Sequence, residues 1–413
     1  MNILFFTHYF PPEGNAPASR TYEHCKRWVA EGHQVTVVTS VPNAPDGVVY
    51  KGWKNRWWPQ REELDGIHVL RIWTYLAANA GTLRRILNYL SYMFSAIPVT
   101  IFFCRRPHVI VATSPQFFCG WAGVFASWLK WSPLVLEIRD IWPDSIVTVG
   151  AMKPGWTIRF LGFLERLMYR SARTIIAVTN GIRDDIQRKV PKHTKIKVIT
   201  NGVDLGRFPQ LPPNPEFRST WQVENKFVCG YIGTVGMAHG LRVVLDAARL
   251  LREAGQHEVA FLIVGDGAER ADLEKECITS GLEQWVKFAG RIPKEDVPTA
   301  LASVDVLLVH LKKNRLFEAA IPSKIFEAMA MDKPLLVGVQ GEVEDIIKRS
   351  QCGILFEPEN AEALVKILKE LADNPDLLIM MKNKGREFVA QFYSRDSLAH
   401  EMLQWILNST SRV

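Results

Sequence analysis

The chain has 413 residues, of which 47% are hydrophobic and 23% are charged. This composition excludes a disordered or fibrous chain and leaves room for two globular domains. The net charge of +7 is uneven, because residues 1–200 carry 25 Lys and Arg against 13 Asp and Glu, while the remainder carries 25 against 30. A basic N-terminal half indicates an anionic partner, with nucleic acid, a lipid surface and a phosphorylated substrate as candidates, although a solvated surface bias remains an alternative.

The cysteines disfavour a disulfide framework and a zinc site. The six of them form no CxxC pair, and no His/Cys cluster has metal-ligand spacing. The start, MNILFFTHYFPPEG, is broken too early by prolines to be a signal peptide. A cytoplasmic protein without a metal is therefore expected.

The N-terminal half alternates strand and helix patterns. NILFFT (Asn2–Thr7) is typical of a buried strand, HYFPPEGNAPAS of a loop, RTYEHCKRWVAEGH of a helix and QVTVVTS of a second strand. Further strand candidates follow as HVLRIW, HVIVATS, LVLEIRD, TIIAVT and IKVITNG. Alternation of this kind predicts an α/β domain with a parallel sheet covered by helices on both faces.

The pattern restarts after a proline-rich segment, residues 206–225, which has the composition of a linker. Strands such as FVCGYI, VAFLIV and DVLLVHL then alternate with helical stretches. We therefore predict domains at 1–205 and 206–385, and a helical segment at 386–413 that packs back on the first domain. Ligands of such sheets bind at the carboxyl ends of the strands, so two facing Rossmann-like domains would form a cleft.

Three glycine-rich turns follow strands of the second domain, namely YIGTVGMAHGL (231–241), VGDGAE (264–269) and FAGRIP (288–293). Glycine there lets backbone N–H groups approach a ligand, although each turn is also explained by tight strand-to-helix geometry. Neither GxGxxG nor GxxxxGK[ST] is present, so dinucleotide and P-loop sites are not predicted.

A short helix is predicted within IPSKIFEAMAMDKP, from Ile321 to Pro334. Ser323 is a candidate cap, and the helix start with the Lys324 ammonium would form an anion site for a diphosphate. Glu327, one turn later, could accept hydrogen bonds from a ribose diol. The alternative is an ordinary amphipathic helix on which Lys324 and Glu327 form an exposed i,i+3 pair.

These segments together resemble glycosyltransferase family 4, with its GT-B fold. The resemblance spans nearly the whole chain and rests on PPEGNAPASR, GHQVTVVTS, NGVDLGRF, YIGTVGMAHGL, VGDG, PSKIFEAMAMDKP and CGILFEPENAEAL. The subgroup that transfers sugars such as N-acetylfucosamine in bacterial surface-polysaccharide assembly is similar in two further segments, ATSPQFF (112–118) and EIRDIWPDS (137–145).

The resemblance implies a donor site in the second domain. Glu327 matches the ribose-binding Glu of the E-x7-E motif, whereas Ala319 stands in the place of the first Glu and Glu318 lies one residue early. The usual Arg and Lys of the glycine loop are replaced by Thr234 and His239, which leaves Lys324 as the leading diphosphate ligand and catalytic residue. The other predicted donor-binding residues are Gly233, Gly265, Asp266, Ser323, and Arg291 with Ile292 near the base pocket.

Family members retain the anomeric configuration and need no metal, so the resemblance implies retention with no metal or other cofactor. The resemblance also implies that the donor phosphate itself takes the acceptor proton and that the protein stabilises the nucleoside diphosphate that leaves. On the acceptor side, the predicted binding residues are Gly14 and Asn15 in the first loop and Asp140, which is also the second predicted catalytic residue because it would position the acceptor. Arg139 replaces a family His; Asp140 could instead cap a helix or pair with Arg139.

A membrane contact is suggested by residues 86–104, which are uncharged and bracketed by Arg84-Arg85 and Arg105-Arg106. Pro98 and the strand that follows argue against a crossing, so insertion into one leaflet or a buried core helix remains. Nearby, YKGWKNRWWPQR combines Trp53, Trp57 and Trp58 with cations, as at an anionic lipid surface. The same segment could stack on single-stranded nucleic acid, but no RNA-binding motif accompanies it.

The sequence thus predicts a glycosyltransferase at the cytoplasmic face of the membrane. It would move a sugar from a nucleotide sugar, most simply a UDP-sugar, to a polyprenyl-diphosphate-linked saccharide, as in O-antigen or capsule synthesis. Two alternatives stay open: a UDP-sugar 2-epimerase on the same fold, and a non-catalytic membrane scaffold that binds nucleotide sugars.

Overall fold

The computed structural model describes residues 1–77, 82–114, 116–144, 147 and 155–410. Two compact units are present, Met1–Asn201 with Arg395–Val413, and Gly202–Ser394. The first boundary falls after Asn201, where the sequence placed it after residue 205. Within the motifs behind the resemblance, Pro115 and Ser145 lie outside the described residues.

The N-terminal unit is built on a sheet of eight strands in the order β3-β4-β2-β1-β5-β6-β7-β8. The strands are β1 Asn2–Phe6, β2 Gln34–Ser40, β3 Gln60–Leu64, β4 Ile67–Ile72, β5 Val109–Ser114, β6 Leu134–Ile138, β7 Thr174–Ala177 and β8 Ile196–Val198. All neighbours pair in parallel except β3, which runs antiparallel to β4 at the edge. The predicted parallel sheet is confirmed, with one antiparallel strand added at its edge.

Within the part of the chain that the structure describes, the helices that flank this sheet are α1 Ala16–Ala30, α2 Thr82–Phe103, α3 Phe117–Lys130, α4 Trp156–Ser171, α5 Asn180–Lys189 and α16 Arg395–Thr410. Alternate residues of the strands, such as Ile3 and Phe5, share one hydrophobic cluster with α1 and α16. Side chains of a strand alternate between the two faces of a sheet, so a shift by one residue would move this apolar set to the other face. Burial of the set therefore fixes the register of β1 against β2 and β5.

Helices α2, α3 and α4 lie side by side, with α3 in the middle. Two glycines let α3 approach its neighbours, because a Cβ at Gly120 would lie 2.5 Å from Met168 Sδ and one at Gly123 would lie 2.4 Å from Ala112 Cβ. The close approach leaves α3 mostly buried, so α2 and α4 supply much of the outer surface of this layer.

The end of the chain returns to the N-terminal unit. The Trp28 Nε1–H donates to the Ala399 carbonyl at 2.9 Å, and Arg395 pairs with Glu23 at 2.7 Å. The segment predicted as one helical element, residues 386–413, is divided: its first residues belong to a helix of the C-terminal unit, and α16 begins at Arg395.

The C-terminal unit holds an entirely parallel sheet in the order β11-β10-β9-β12-β13-β14. Its strands are β9 Phe227–Ile232, β10 Val259–Val264, β11 Val286–Gly290, β12 Val306–His310, β13 Leu335–Gly338 and β14 Gly353–Leu355. Its helices are α6 Pro215–Thr220, α7 Arg242–Glu253, α8 Arg270–Thr279, α9 Val297–Ala302, α10 Arg315–Glu318, α11 Lys324–Ala330, α12 Glu342–Ser350, α13 Ala361–Asp373, α14 Pro375–Met381 and α15 Lys384–Phe392.

Residues 206–225 are not a simple linker. They contain α6, which begins with Pro215 in its first turn and is capped by the Asn214 side chain accepting from the Phe217 N–H at 2.9 Å. Phe217 and Trp221 pack against the core of the C-terminal unit. This segment is therefore part of the second domain.

Candidate functional site

The strand order of the C-terminal unit places a binding crevice beside β9. The chain moves outward from β9 through β10 to β11, then returns to the other side of β9 with β12. Loops after β9 and β12 therefore diverge, which is where parallel α/β sheets bind ligands. The loop after β9 carries Gly233, Thr234 and His239, and α11 follows β12 with Lys324 and Glu327.

Two of the glycine turns are in direct backbone contact. A Cβ at Gly265 would lie 1.8 Å from the Gly233 carbonyl oxygen, and one at Gly267 would lie 2.3 Å from the Val235 carbonyl oxygen. Both glycines also have positive φ, at 143° and 158°. Only glycine fits these positions, so the packing of one turn on the other explains them.

The N–H groups of these turns are largely engaged within the turns themselves. The Gly233 N–H donates to Val264 O at 2.8 Å, Val235 to Asp266 O at 2.9 Å and Gly265 to Gly290 O at 2.7 Å. The sequence-based expectation that glycine brings such groups to a ligand is therefore wrong for these three. The turns instead form a compact floor beside the Lys324 side chain.

Lys324 is the group that distinguishes this site. Its Nζ lies 3.6 Å from the centre of the Tyr231 ring, which is a cation–π contact, and a Cβ at Gly233 would lie 2.8 Å from it. The residue as a whole is half-buried, but the Nζ is shielded from solvent and has no hydrogen-bond partner among the described residues. The interpretation of Lys324 as half of an exposed ion pair with Glu327 was wrong.

The environment of Lys324 weakens its hold on a proton. Burial lowers the pKa of its ammonium to about 7, and the nearby Glu327 carboxylate raises that pKa only in part. A buried ammonium without hydrogen bonds is costly, and such groups concentrate where a ligand supplies the missing charge.

Ser323 occupies the position before α11, as expected, but its side chain makes no capping hydrogen bond. Its backbone is helical there, and its carbonyl accepts from Phe326 at 3.1 Å. Capping by the Ser323 hydroxyl was therefore predicted wrongly. Glu327 is half-buried one turn later, on the same short helix as Lys324.

Two histidines brace the crevice, and only His239 was predicted. The Nε2 of His310 accepts the Glu359 N–H at 2.8 Å, so Nδ1 carries the proton and donates to the His239 carbonyl at 2.7 Å. Burial lowers the pKa of His310 and, together with Lys324, lowers the pKa of His239 to about 4. Both rings are therefore neutral near pH 7. A polar residue ending the apolar strand VLLVH was the signal for His310.

The remaining predicted donor residues are distributed along the same strand ends. The Tyr231 hydroxyl donates to the Thr234 carbonyl at 2.6 Å, and the Asp266 carboxylate accepts from the Gly267 N–H at 2.8 Å. Arg291 is exposed just beyond β11, whereas Ile292 packs against the core.

Glu318 is exposed at the end of α10 and Ala319 is half-buried. The backbone of Glu318 lies against Gly341, where a Cβ would be 2.2 Å from the Glu318 carbonyl oxygen. Gly341 has a φ of 86°, so this approach depends on glycine. The segment that carries the altered E-x7-E motif is thus anchored to the loop after β13.

In the N-terminal unit, hydrogen bonds to the Glu13 carboxylate stabilise the first loop; the sequence analysis did not identify Glu13. Its buried carboxylate accepts backbone N–H groups of Phe10 at 3.2 Å and of Asn43 and Ala44 at 3.0 Å each. Gly14 is exposed beside it, and the Asn15 side chain caps α1 by accepting from the Ala18 N–H at 2.9 Å. Asn15 therefore has a structural role that its prediction as an acceptor ligand did not include.

Asp140 follows β6 and is half-buried, with its carbonyl accepting from the Trp142 N–H at 3.2 Å. Beside it lies a buried charge cluster built on Glu137, which accepts from Arg20 at 2.8 Å and from the Thr113 hydroxyl at 2.7 Å. Arg139 belongs to this cluster, but its Nε and Nη1 are buried and have no hydrogen-bond partner within the part of the chain that the structure describes. Among the described residues, no group of three or more His, Cys, Asp or Glu side chains is arranged to hold a metal ion.

The fold and the sequence define the class of protein. Residues 15–202 match the family model described as "Glycosyl transferase 4-like domain", and residues 214–388 match "Glycosyl transferases group 1". These matches coincide with the two structural units. The chain therefore belongs to the GT-B glycosyltransferases, which are built from two Rossmann-like α/β domains.

Among curated proteins, the chain is 24% identical over 413 residues to the putative colanic acid biosynthesis glycosyl transferase WcaI of Escherichia coli, covering 98% of this chain and 99% of that protein. It is 26% identical over 253 residues to the probable glycosyltransferase WbjE of Pseudomonas aeruginosa, which covers 60% of this chain and 61% of the relative. Among solved structures, Anabaena HepE in complex with UDP and glucose matches with a TM-score of 0.71 at 18% identity, covering 98% of each chain. WaaG, a glycosyltransferase of lipopolysaccharide biosynthesis, matches with a TM-score of 0.69 at 17% identity, covering 98% of this chain and 99% of that one.

Proposed function

We propose that the protein is a retaining, metal-independent glycosyltransferase of bacterial surface-polysaccharide biosynthesis. It transfers a hexose-type sugar from a UDP-linked donor, with N-acetylfucosamine as the proposed sugar, to a saccharide carried on a lipid diphosphate. The similarity to WcaI, a putative glycosyl transferase of colanic acid biosynthesis, and to the probable glycosyltransferase WbjE supports the role in polysaccharide biosynthesis. The similarity to HepE, which was solved with UDP and glucose, supports a UDP-linked donor. The acceptor and the retaining chemistry rest on the resemblance described above.

The observation that carries the proposal is the unpartnered Lys324 ammonium beside the glycine turns. When a nucleotide sugar reacts, negative charge grows on the diphosphate that leaves. A preorganised cation with no competing hydrogen bond stabilises that charge more in the transition state than in the ground state. The diphosphate in turn favours the protonated form of Lys324, whose pKa near 7 makes this coupling effective.

The test is a release assay for UDP with purified full-length protein, run with and without a polyprenyl-diphosphate saccharide acceptor and in the presence of a chelator. The proposal predicts UDP release that requires the acceptor and survives chelation, with a product that retains the anomeric configuration. Conversion of a UDP-sugar to its 2-epimer without acceptor would identify the epimerase alternative. Binding of UDP-sugar without either reaction would identify a scaffold.

Glu327→Gln is expected to raise the donor KM by about tenfold with kcat little changed. A ribose contact is made equally in the ground and transition states, so its loss weakens binding without slowing the chemical step. Steady-state kinetics with the UDP-sugar varied measure this. A collapse of kcat at unchanged donor affinity would instead remove Glu327 from the ribose.

We also propose that the N-terminal unit docks peripherally on the cytoplasmic face of the membrane. Within the described residues, one helical stretch, Arg84–Phe103, is long and apolar enough to span a bilayer. Both ends of α2 lead into strands of the same sheet, and one of its faces packs on α3 and β4. Its other face exposes Leu87, Phe94, Ile101 and Phe102. These features support insertion of one face into one leaflet.

Two of the three tryptophans in YKGWKNRWWPQR, Trp57 and Trp58, are exposed and support the proposed membrane contact. Trp58 is 71% exposed and lies edge-on to Phe103 at the end of α2, with 5.3 Å between ring centres. Trp57 is 78% exposed and stacks on Trp73 at 4.0 Å. Trp53 instead lies over the Arg71 guanidinium at 4.8 Å, which gives it a role inside the unit.

Helix α4 extends the apolar surface in a way that the sequence had not suggested. Trp156, Phe160, Phe163 and Leu167 recur at helical spacing along one face and are 79%, 51%, 55% and 39% exposed. The single carboxylate in α2, α3 and α4 is Glu165, which is buried against Lys189 at 3.0 Å. A layer that exposes aromatic residues and cations without carboxylates is complementary to an anionic lipid surface.

Purified protein is therefore expected to bind vesicles that contain anionic lipid and to be released by salt. Because each cation near the surface contributes about 1 kcal/mol, Arg84→Glu with Arg85→Glu should weaken partitioning at least about tenfold. Phe160→Ser with Phe163→Ser should weaken it comparably, through lost apolar burial. Vesicle sedimentation measures all three proteins.

The matched control is Ile379→Ser with Met380→Ser, an exposed apolar pair on α14 of the C-terminal unit. This variant should bind vesicles as the wild type does, and every variant should keep its affinity for the soluble donor. Wild-type protein that ignores anionic vesicles would contradict membrane docking and leave the exposed face of α2 without a lipid partner.

A further inference from the structure

The buried charge cluster of the N-terminal unit contains a cation in excess. Arg20 is fully used: its Nε pairs with Glu137 at 2.8 Å, and its Nη groups donate to the carbonyls of Thr200 at 2.7 Å and Ile199 at 3.1 Å. Arg395 pairs with Glu23 at 2.7 Å. The two carboxylates thus each have an arginine, and the charge of Arg139 is left over.

Two of the directional donors of Arg139 are unused. Its Nε and Nη1 are enclosed and unpartnered, although the residue as a whole is half-buried and so reaches the surface. Burial, followed by the charges of Arg20 and Arg395 against that of Glu137, lowers the pKa of the Arg139 guanidinium to about 10. Because no hydrogen bond to a described residue holds Nε or Nη1, none has to be broken at these two atoms when the guanidinium turns towards an anion.

The position of Arg139 is one where ligands bind. It follows β6 at the carboxyl end of the parallel sheet, directly before Asp140. The planar fork of an arginine matches the paired oxygens of a phosphoryl group. A buried cation without a partner is a cost to folding that a bound anion removes.

From this juxtaposition we infer that Arg139 is a binding residue for a phosphoryl anion, specifically the diphosphate of the lipid-linked acceptor. The identity of the anion rests on the proposed function, because that function supplies a diphosphate on the acceptor. The donor diphosphate has the same chemistry and is the other possible source. Arg139 would hold the anion while the neighbouring Asp140 faces the saccharide that it carries.

The test compares wild type, Arg139→Gln, Arg139→Lys and Arg20→Gln as full-length proteins. Calorimetric titration measures binding of inorganic pyrophosphate, of a short-chain polyprenyl diphosphate and of UDP. Arg139→Gln should weaken binding of pyrophosphate and the polyprenyl diphosphate at least tenfold and leave UDP unchanged, while Arg139→Lys keeps part of the affinity. Loss of UDP binding with the polyprenyl diphosphate unaffected would reassign Arg139 to the donor and overturn the acceptor assignment.

Thermal unfolding of the same proteins without ligand separates binding from structure. Arg139→Gln should match or exceed the wild-type Tm, because it removes an uncompensated buried charge, whereas Arg20→Gln should lower it by about 5 °C or more by orphaning Glu137. A fall in Tm for Arg139→Gln together with unchanged phosphate affinities would make Arg139 a structural counter-charge. Unchanged affinities at any Tm, or a wild type that binds neither pyrophosphate nor the polyprenyl diphosphate, would also overturn the inference. The UDP-release assay decides the proposed function independently of these outcomes.

Discussion

Lys324→Met is expected to lower kcat/KM, with a loss of transition-state stabilisation of about 2–4 kcal/mol. The same substitution should make the free protein more stable. The variant removes the cation that faces the leaving diphosphate. It also replaces a shielded ammonium that has no hydrogen bond with an apolar side chain of similar length. Removing such a charge should raise the free energy of unfolding by about 1–2 kcal/mol at neutral pH. Steady-state kinetics and chemical denaturation measure the two effects.

The gain in stability has a defined pH dependence. Lys324 is neutral above its folded pKa of about 7, whereas the unfolded chain keeps the proton up to 10.5. Wild-type stability therefore rises with pH between 7 and 10.5, and the advantage of Lys324→Met is largest below pH 7 and fades towards 10.5. The affinity of the wild type for UDP-sugar should fall above pH 7, because binding then requires uptake of a proton.

Lys333 provides the matched control for Lys324. Burial also lowers the pKa of Lys333, to about 8, but its Nζ donates to the carbonyls of Ala302 at 2.7 Å and Val304 at 2.9 Å. Lys333→Met should therefore destabilise the protein by about 1–3 kcal/mol, since it orphans two carbonyls, and should leave donor KM unchanged. Equal destabilisation of both variants would show that Lys324 is a structural lysine.

His310→Leu is expected to cost about 2–3 kcal/mol of stability at pH 7 and to flatten the response to acid. The ring links His239 O to the Glu359 N–H, and both would lose their partner. Because burial lowers the folded pKa of His310 below 6.5, the wild type loses stability as the pH falls below 6.5, when the unfolded chain takes up a proton that the folded one does not.

The slope of unfolding free energy against pH should thus be lower in His310→Leu below pH 6.5, by an amount that approaches at most about 1.4 kcal/mol per pH unit as the unfolded histidine becomes fully protonated. The slope must be compared with that of the wild type, because other groups also contribute to it. The folded pKa values of Glu13 and Glu165 are raised, so these two groups increase the free energy of unfolding as the pH falls, opposite to the effect of His310. Exposed His193→Gln is the control for substitution of a surface histidine and should leave the free energy of unfolding at pH 7 as in the wild type. An unaltered slope in His310→Leu would mean that the ring is charged in the folded protein.

Much of the fold could be predicted because buried parallel strands are continuous apolar runs separated by amphipathic helices. Strand β3 escaped because QREEL is a polar edge strand, recognisable only from its pairing with β4. Helix α6 escaped although Asn214-Pro215 is a regular helix start, since the surrounding prolines suggested a linker. In both segments, local composition gave the wrong prediction because pairing or packing with other parts of the chain determines the structure.

The candidate site was predictable in its residue types but not in its environment. The sequence left Lys324 equally suited to a ligand site or to an exposed ion pair. The choice depends on Tyr231 and Gly233, which lie far away along the chain and enclose the Nζ only after β9 and α11 have packed. Likewise, Arg139 was considered only as a partner of Asp140, because its unpaired donors follow from the ion pairs of Arg20 and Arg395.

The return of α16 to the N-terminal unit has a consequence for biosynthesis. Residues 202–394 form a continuous unit that can fold as soon as it leaves the ribosome, whereas the N-terminal unit lacks α16 until residues 395–410 have also been synthesised. Until then, the hydrophobic cluster of the N-terminal unit that Leu398, Met402 and Ile406 complete remains exposed to solvent, and the Trp28 indole lacks its carbonyl partner. A nascent chain therefore exposes an apolar face for most of its synthesis, and a premature stop near codon 395 damages the domain encoded first.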